Sequence, residues 1–245
     1  MTGSLFLPPI IGHRGAARHA PENTLSSFAA AARLGCRMVE FDVRLSADGI
    51  PVVFHDDGLD RTSDGAGPVA ARSLAALKRL DAGSWFGPTF AGERIPTLAE
   101  ALSQCLDLDL AVNIEIKPDS GAERATALAA LAEAGRLWPS ERPPPLISSF
   151  SRRALAAAVV VAPDWPRGLL VASPPTDWRR AVSRLGCRAI HAAHRHLDRA
   201  TVAAFRAEGL AVLAYTVNDA AVARALWQSG VDAVFTDSPE LLANG

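Results

Sequence analysis

The chain has 245 residues, 49% of them hydrophobic, and its 25 Lys and Arg nearly balance 26 Asp and Glu for a formal net charge of −1. This is enough apolar material for a full core, so a single domain over residues 1–245 is expected, and the near-neutral balance argues against nucleic acid or an anionic membrane surface as partner. Cys36, Cys105 and Cys187 are far apart and form no CxxC pair, which excludes a disulfide framework or zinc knuckle and fits a reducing cytoplasm. The stretch Met1 to Pro9 lacks a basic segment followed by a long apolar one, and no later run reaches a membrane span, so a soluble, unexported chain without stable membrane association is expected.

Short β-type runs at 9–13, 37–43, 51–55, 110–116, 145–149, 167–171, 188–191, 211–216 and 232–236 alternate with Ala/Leu/Arg-rich helical stretches, the pattern of parallel βα units. The first run ends in His13, followed by Arg14 and Gly15. Beyond Pro21, residues 22–34 place Leu25, Phe28, Ala29 and Ala32 at helical spacing, with Gly35 as the stop. The second run carries Glu40 and Asp42 two positions apart, hence on one face of a sheet. Only Leu45 to Gly49 separates it from the third run, whereas a parallel crossover needs a dozen or more residues. The third run therefore folds back antiparallel about Ala47-Asp48-Gly49. Glu40 then falls opposite about residue 55, which brings His55 beside the carboxylates. The other eight runs suffice to close a (β/α)8 TIM barrel.

Residues 57–95 break the rhythm with repeated Gly and Pro around Trp85-Phe86, as expected of a small insertion over the C-terminal mouth. The fourth run places Asn113, Glu115 and Lys117 on one face. Pro139 to Pro145 is a stiff connector. The segment His191 to His196 matches no helix-borne zinc spacing and sits at a strand end, so it is expected at the surface or, as for His191, on the substrate rim. Asp237 is read as a cap of the last turn, without chemistry.

Barrel sites lie at the C-terminal strand ends, where Glu40, Asp42, Glu115, Lys117 and His13 can converge. Three carboxylates are hard oxygen ligands suited to Mg²⁺ or Ca²⁺. Their structural alternative is a set of internal salt bridges to Arg14, Arg44 and Lys117. Arg14, with its fork of donors, and Lys117 are candidate phosphate contacts, although Arg14 could instead neutralise the carboxylates.

His13-Arg14-Gly15, Ala20-Pro21-Glu22-Asn23-Thr24, Val39-Glu40-Phe41-Asp42-Val43, His55-Asp56, Asn113-Ile114-Glu115-Ile116-Lys117, Ser148-Ser149-Phe150, Tyr215-Thr216-Val217-Asn218 and Thr236-Asp237 run in an order that resembles the glycerophosphodiester phosphodiesterases. Asp81 to Phe86, the His191 segment and Tyr215 resemble most the soluble bacterial member associated with glycerol-3-phosphate uptake. The resemblance implies a TIM barrel hydrolysing deacylated phospholipids, such as glycerophosphocholine or glycerophosphoethanolamine, to sn-glycerol 3-phosphate and an alcohol. It implies metal ligation by Glu40, Asp42 and Glu115, acid and base roles for His13 and His55, and phosphate contacts from Arg14 and Lys117. Trp85, Phe86, His191 and Tyr215 are the residues expected on a substrate rim. Two alternatives stand beside it: a lysophospholipase D and a non-catalytic barrel that binds phosphodiesters.

Overall fold

The computed structural model describes residues 5–240. Residues 1–4 and 241–245, the two ends of the expected domain, lie outside the described residues. β1 (Ile10–His13) leads through a turn to α1 (Leu25–Arg33), β2 (Met38–Leu45) and the short β3 (Pro51–Val53). α2 (Leu74–Leu77) belongs to the insertion, and α3 (Leu98–Asp107) returns the chain to β4 (Ala111–Ile116). Five helix–strand repeats follow: α4 (Glu123–Leu137) and β5 (Leu146–Ser149), α5 (Arg152–Val161) and β6 (Arg167–Val171), α6 (Trp178–Leu185) and β7 (Ala189–Ala193), α7 (Arg199–Ala207) and β8 (Ala211–Tyr215), and α8 (Ala220–Gln228) and β9 (Ala233–Thr236).

Eight strands pair in parallel in the order β1-β2-β4-β5-β6-β7-β8-β9, and β9 returns to β1, which closes the (β/α)8 TIM barrel. β3 is added antiparallel to β2 through Val43↔Val53, Arg44↔Val52 and Leu45↔Pro51. Continuing that register puts Glu40 opposite position 56, one residue from the expected partner. β2 is longer than β1: β1 pairs with it only as far as Glu40, and β3 takes over from Val43. The returning chain consequently runs down toward the end of β1, carrying His55 to the site.

The outward faces of the strands pack under the helices. Phe41, for instance, meets Phe28 of α1 at 5.4 Å between ring centroids, both fully buried, and burying each contributes about 1.5–3 kcal/mol. Inside the barrel, Ile11, Met38, Leu146, Ala189, Leu213, Ala233 and Phe235 form the apolar plug. Above them the inward positions turn polar. α1 begins at Leu25 rather than near Glu22, because the Thr24 side chain accepts from the Ser27 backbone N–H and caps the helix there. Glu22 and Asn23 are thereby left in the β1–α1 turn, free to serve the site.

The insertion has a small core of its own, in which Leu59, Val69, Leu77, Ala82 and Ile95 pack on Val52 and Phe54. It flanks the mouth from the β3 side.

Candidate active site

Alternation along β2 turns Glu40 and Asp42 inward, and the pairing Asp42↔Glu115 sets the third carboxylate beside them. One oxygen from each lies within 4.8 Å of the other two, and all three residues are buried. Lys117 Nζ stands 3.3 Å from Glu115 Oε1 and 3.7 Å from Asp42 Oδ1. Arg14 Nε lies 3.3 Å from Asp42 Oδ2, to which Asn23 Nδ2 also donates at 2.8 Å. Arg44, the third counter-ion expected of a purely structural network, turns instead to Asp57 and Asp119.

The compensation is uneven. Burial opposes ionisation of Asp42, but Arg14, His55 and Lys117 outweigh it and hold its carboxyl below the usual range. Burial, together with the charge of Asp42, pushes Glu115 up to about 7. Burial and then the charges of Asp42 and Glu115 push Glu40 well above the ordinary value. Glu40 Oε2 accepts the Arg14 backbone N–H at 3.0 Å, whereas the buried Oε1 has no partner. An orphaned carboxylate oxygen beside two like charges is costly unless a cation joins it. The donor set is three hard oxygens, so the residues fit a divalent metal ion.

Both histidines are oriented by carboxylates. Closing the barrel pairs Gly12 with Thr236, so Asp237, one residue past β9, falls beside His13. His13 Nδ1 donates to Asp237 Oδ1 at 2.7 Å. Asp237 is held in turn by Asn218, whose Nδ2 donates to Oδ2 at 2.7 Å and whose Oδ1 accepts the Asp237 backbone N–H at 2.8 Å. Burial works against ionising Asp237, but these bonds keep its carboxyl below the usual range. The expectation that Asp237 only caps a turn is thus corrected: it fixes the His13 tautomer, leaving Nε2 as the basic nitrogen. His55 Nδ1 donates to Asp56 Oδ1 at 2.5 Å. Arg61, from the insertion, holds Asp56 through both oxygens and bridges to Glu22, which also accepts from Arg14 Nη1 at 2.6 Å. One chain of charge therefore links the insertion to Asp42. Replacing Asp237 by Asn should lower kcat by roughly 10²–10⁴-fold with KM little changed, because the amide would favour the wrong His13 tautomer; steady-state kinetics would read this, and an unchanged kcat would deny Asp237 that role.

His13, Arg14, His55, Glu40, Glu115 and Lys117 line a cavity of about 230 Å³ together with residues from the opposite wall. Of the four expected rim residues, Tyr215 is at the mouth. Its hydroxyl donates to Val171 O at 2.8 Å, and its ring meets Phe150 edge-on at 6.1 Å. Burial and the neighbouring charge of Glu115 raise the phenol to about 12, so it remains a neutral wall. His191 lies lower than expected. β7 continues to Ala193, which makes position 191 an inward mid-strand site, and the ring is fully buried inside the barrel. Trp85 and Phe86 are not among the residues lining the cavity. Asp81 accepts the backbone N–H groups of Gly83, Ser84 and Gly92, which curls the segment on itself. Trp85 then packs on Phe86, and Phe86 on Phe90.

A parallel barrel with a buried acidic triad, two carboxylate-held histidines and two cations at its C-terminal mouth is the framework of a phosphoester hydrolase. Residues 13–241 match the Glycerophosphoryl diester phosphodiesterase family. A glycerophosphodiester phosphodiesterase of Caldanaerobacter subterraneus is 36% identical, with 96% of each chain covered. One of Bacillus subtilis is 32% identical over 98% of this chain and 87% of its own. A solved Oleispira antarctica phosphodiesterase, in complex with the product sn-glycerol-3-phosphate, superposes with a TM-score of 0.95 at 42% identity, covering 98% of this chain and 96% of that one. The chain belongs to the glycerophosphodiester phosphodiesterase family and is an enzyme of that class.

Proposed function

We propose that this enzyme uses a divalent cation, Mg²⁺ or Ca²⁺, with His13 and His55 as acid–base pair, to hydrolyse glycerophosphodiesters such as glycerophosphocholine or glycerophosphoethanolamine to sn-glycerol 3-phosphate and an alcohol. The observation that carries this reading is the triad of Glu40, Asp42 and Glu115 with the unpartnered Glu40 oxygen, set between two histidines whose Nδ1 atoms are already committed. The product bound by the Oleispira antarctica phosphodiesterase supports the substrate class. When bound by the triad, the cation supplies Lewis-acid stabilisation of the phosphate charge and lowers the pKa of a hydroxyl in contact with it.

His13 Nε2 takes the proton of the glycerol hydroxyl next to the ester, whose oxygen bonds to phosphorus as the bond to the alcohol breaks. His55 Nε2 protonates the departing oxygen. Water then opens the resulting cyclic phosphate with the two histidines exchanging roles. Burial, with Arg14 and Lys117, holds the free His55 imidazole below its ordinary value against the opposing pull of Asp42. An arriving phosphodiester anion favours its protonated form. Lys117 meets the phosphate charge, and Arg14, fixed by Glu22 and Asp42, adds to the local positive field. We read the chain as one catalytic domain, and its three free cysteines support a place in a reducing cytoplasm.

Among the described residues no helix is long and apolar enough to cross a membrane. Turnover of glycerophosphoethanolamine against its monoacyl counterpart tests the substrate class: the deacylated compound should be favoured by at least about tenfold in kcat/KM. Preference for the monoacyl lipid would make the enzyme a lysophospholipase D. Binding without product would make the barrel non-catalytic.

A further inference from the structure

The closed end of the cavity holds polar groups that neither the triad nor the acid–base pair uses. His191 lines it with 0% of its surface exposed, and neither ring nitrogen has a partner. The ring fits because position 168 on β6, two before the Leu170 that pairs with His191, is glycine: a Cβ there would stand 2.4 Å from His191 Nε2. The other side of the ring meets Phe235 at 5.2 Å between centroids. Burial alone drives this imidazole down to about 3, so it is neutral, with one N–H to give and one lone pair to receive. Asn113, one inward position below Glu115, also lines the cavity. Its Nδ2 donates to Ser148 Oγ at 2.9 Å, which orients the amide and leaves Oδ1, buried and unpartnered, as an acceptor.

Two orphaned groups lining one cavity, one able to donate and one only to accept, call for a ligand that does both. A hydroxyl does so, and Leu170 and Phe235 supply apolar surface for the carbon that bears it. Resting on the function proposed above, the choice lies between the two arms of a glycerophosphodiester. The variable alcohol belongs at the open side, where Phe150 is 49% exposed. The glycerol arm has two hydroxyls, of which the one next to the ester takes part in the reaction. The terminal one has no chemistry and must be satisfied if it is buried.

We infer that His191 and Asn113 form the pocket for the terminal hydroxyl of the glycerol arm and select substrates in which that hydroxyl is free. His191 is a specificity residue in this scheme, one layer below the reacting atoms. The pocket penalises an analogue that lacks the hydroxyl, because the two buried groups stay unpaired, and acylating the hydroxyl removes the proton it would give to Asn113 Oδ1.

The test pairs a deletion in the substrate with one in the protein. Glycerophosphocholine is compared with propane-1,2-diol phosphocholine, which keeps the reacting hydroxyl and replaces only the terminal hydroxymethyl by methyl, in wild type, His191→Leu and His191→Gln. Wild type should favour glycerophosphocholine by about tenfold or more in kcat/KM, as expected for a buried hydrogen-bonding site. His191→Leu should lower that ratio at least several-fold, Asn113 Oδ1 remaining as an acceptor, while turnover of the methyl analogue stays within a few-fold of wild type, and His191→Gln should recover part of the preference. A histidine that only packs the barrel would change both substrates equally and leave the ratio intact, which would overturn the assignment. The wild-type ratio and the Gln variant decide the matter should the Leu variant not fold. Wild-type hydrolysis of both compounds at similar rates overturns this inference alone, whereas no hydrolysis of either removes the proposed function and this inference with it.

Discussion

Replacing His13 or His55 by alanine should lower kcat on glycerophosphocholine by about 10²–10⁴-fold, with divalent-cation binding and melting temperature near those of the parent. The geometry separates these residues from the ligands. Each histidine commits Nδ1 to a carboxylate, Asp237 or Asp56, and neither is one of the three residues whose oxygens converge. Asp56 keeps Arg61 and Asp237 keeps Asn218 when the ring is removed, so neither carboxylate is stranded. The double variant should be only slightly slower than the worse single one, because groups that act in one proton-transfer sequence are not additive. Steady-state kinetics beside a calorimetric metal titration would check this. Loss of metal binding in either variant would reassign that histidine to the metal site.

Glu40→Gln should lose metal affinity and activity together, by at least about 10²-fold, since removal of even an outer-shell partner costs 10–100-fold. Its effect on the metal-free fold has the opposite sign to that expected of a salt-bridge residue. Glu115, pushed up to about 7 by burial and by Asp42, contributes stability that is full below the ordinary glutamate range and is lost as pH rises through about 7. Glu40, raised well above the ordinary value by burial and by the charges of Asp42 and Glu115, adds to this trend. Metal-free wild type should therefore unfold at a lower temperature at about pH 8 than at about pH 5.5 so far as these groups decide it. Metal-free Glu40→Gln should be the more stable protein at the higher pH, because it lacks one of three crowded charges. Thermal unfolding of both proteins with and without divalent cation reads the sign directly. Cation at about a hundred times its Kd should stabilise wild type by about 2.7 kcal/mol and leave the variant nearly unmoved. A variant that is less stable without metal would return Glu40 to an internal ion-pair network.

What was legible in the sequence was mostly what depends on alternation and chain length. Glu40, Asp42, Glu115 and Lys117 were visible because a strand has period two, and His55 because five residues cannot cross a sheet in parallel. The barrel's closure was legible too, but one consequence of it was missed: if β9 neighbours β1, the residue after β9 lies beside His13, and that residue is Asp237. The spacing of residues 22–34 fits a helix that includes Glu22. Only the Thr24 cap, a side-chain hydrogen bond, stops the helix short and leaves Glu22 to join Arg14 and Arg61. Alternation marks a strand but not where it ends: β7 runs two residues beyond His191, and this carries the ring inside the barrel instead of to the rim. Trp85 and Phe86 had no periodic signal to place them. Their position follows from the loop around Asp81, whose hydrogen bonds turn them toward Phe90.

If Glu40, Asp42 and Glu115 hold the catalytic cation, no glycerophosphodiester is cleaved without it. Release of sn-glycerol 3-phosphate from glycerophosphocholine by the purified protein, measured as isolated, after chelation, and after return of Mg²⁺ or Ca²⁺, tests it most directly. Product should vanish on chelation and return with the cation, whereas full activity in excess chelator would exclude a catalytic cation at the triad.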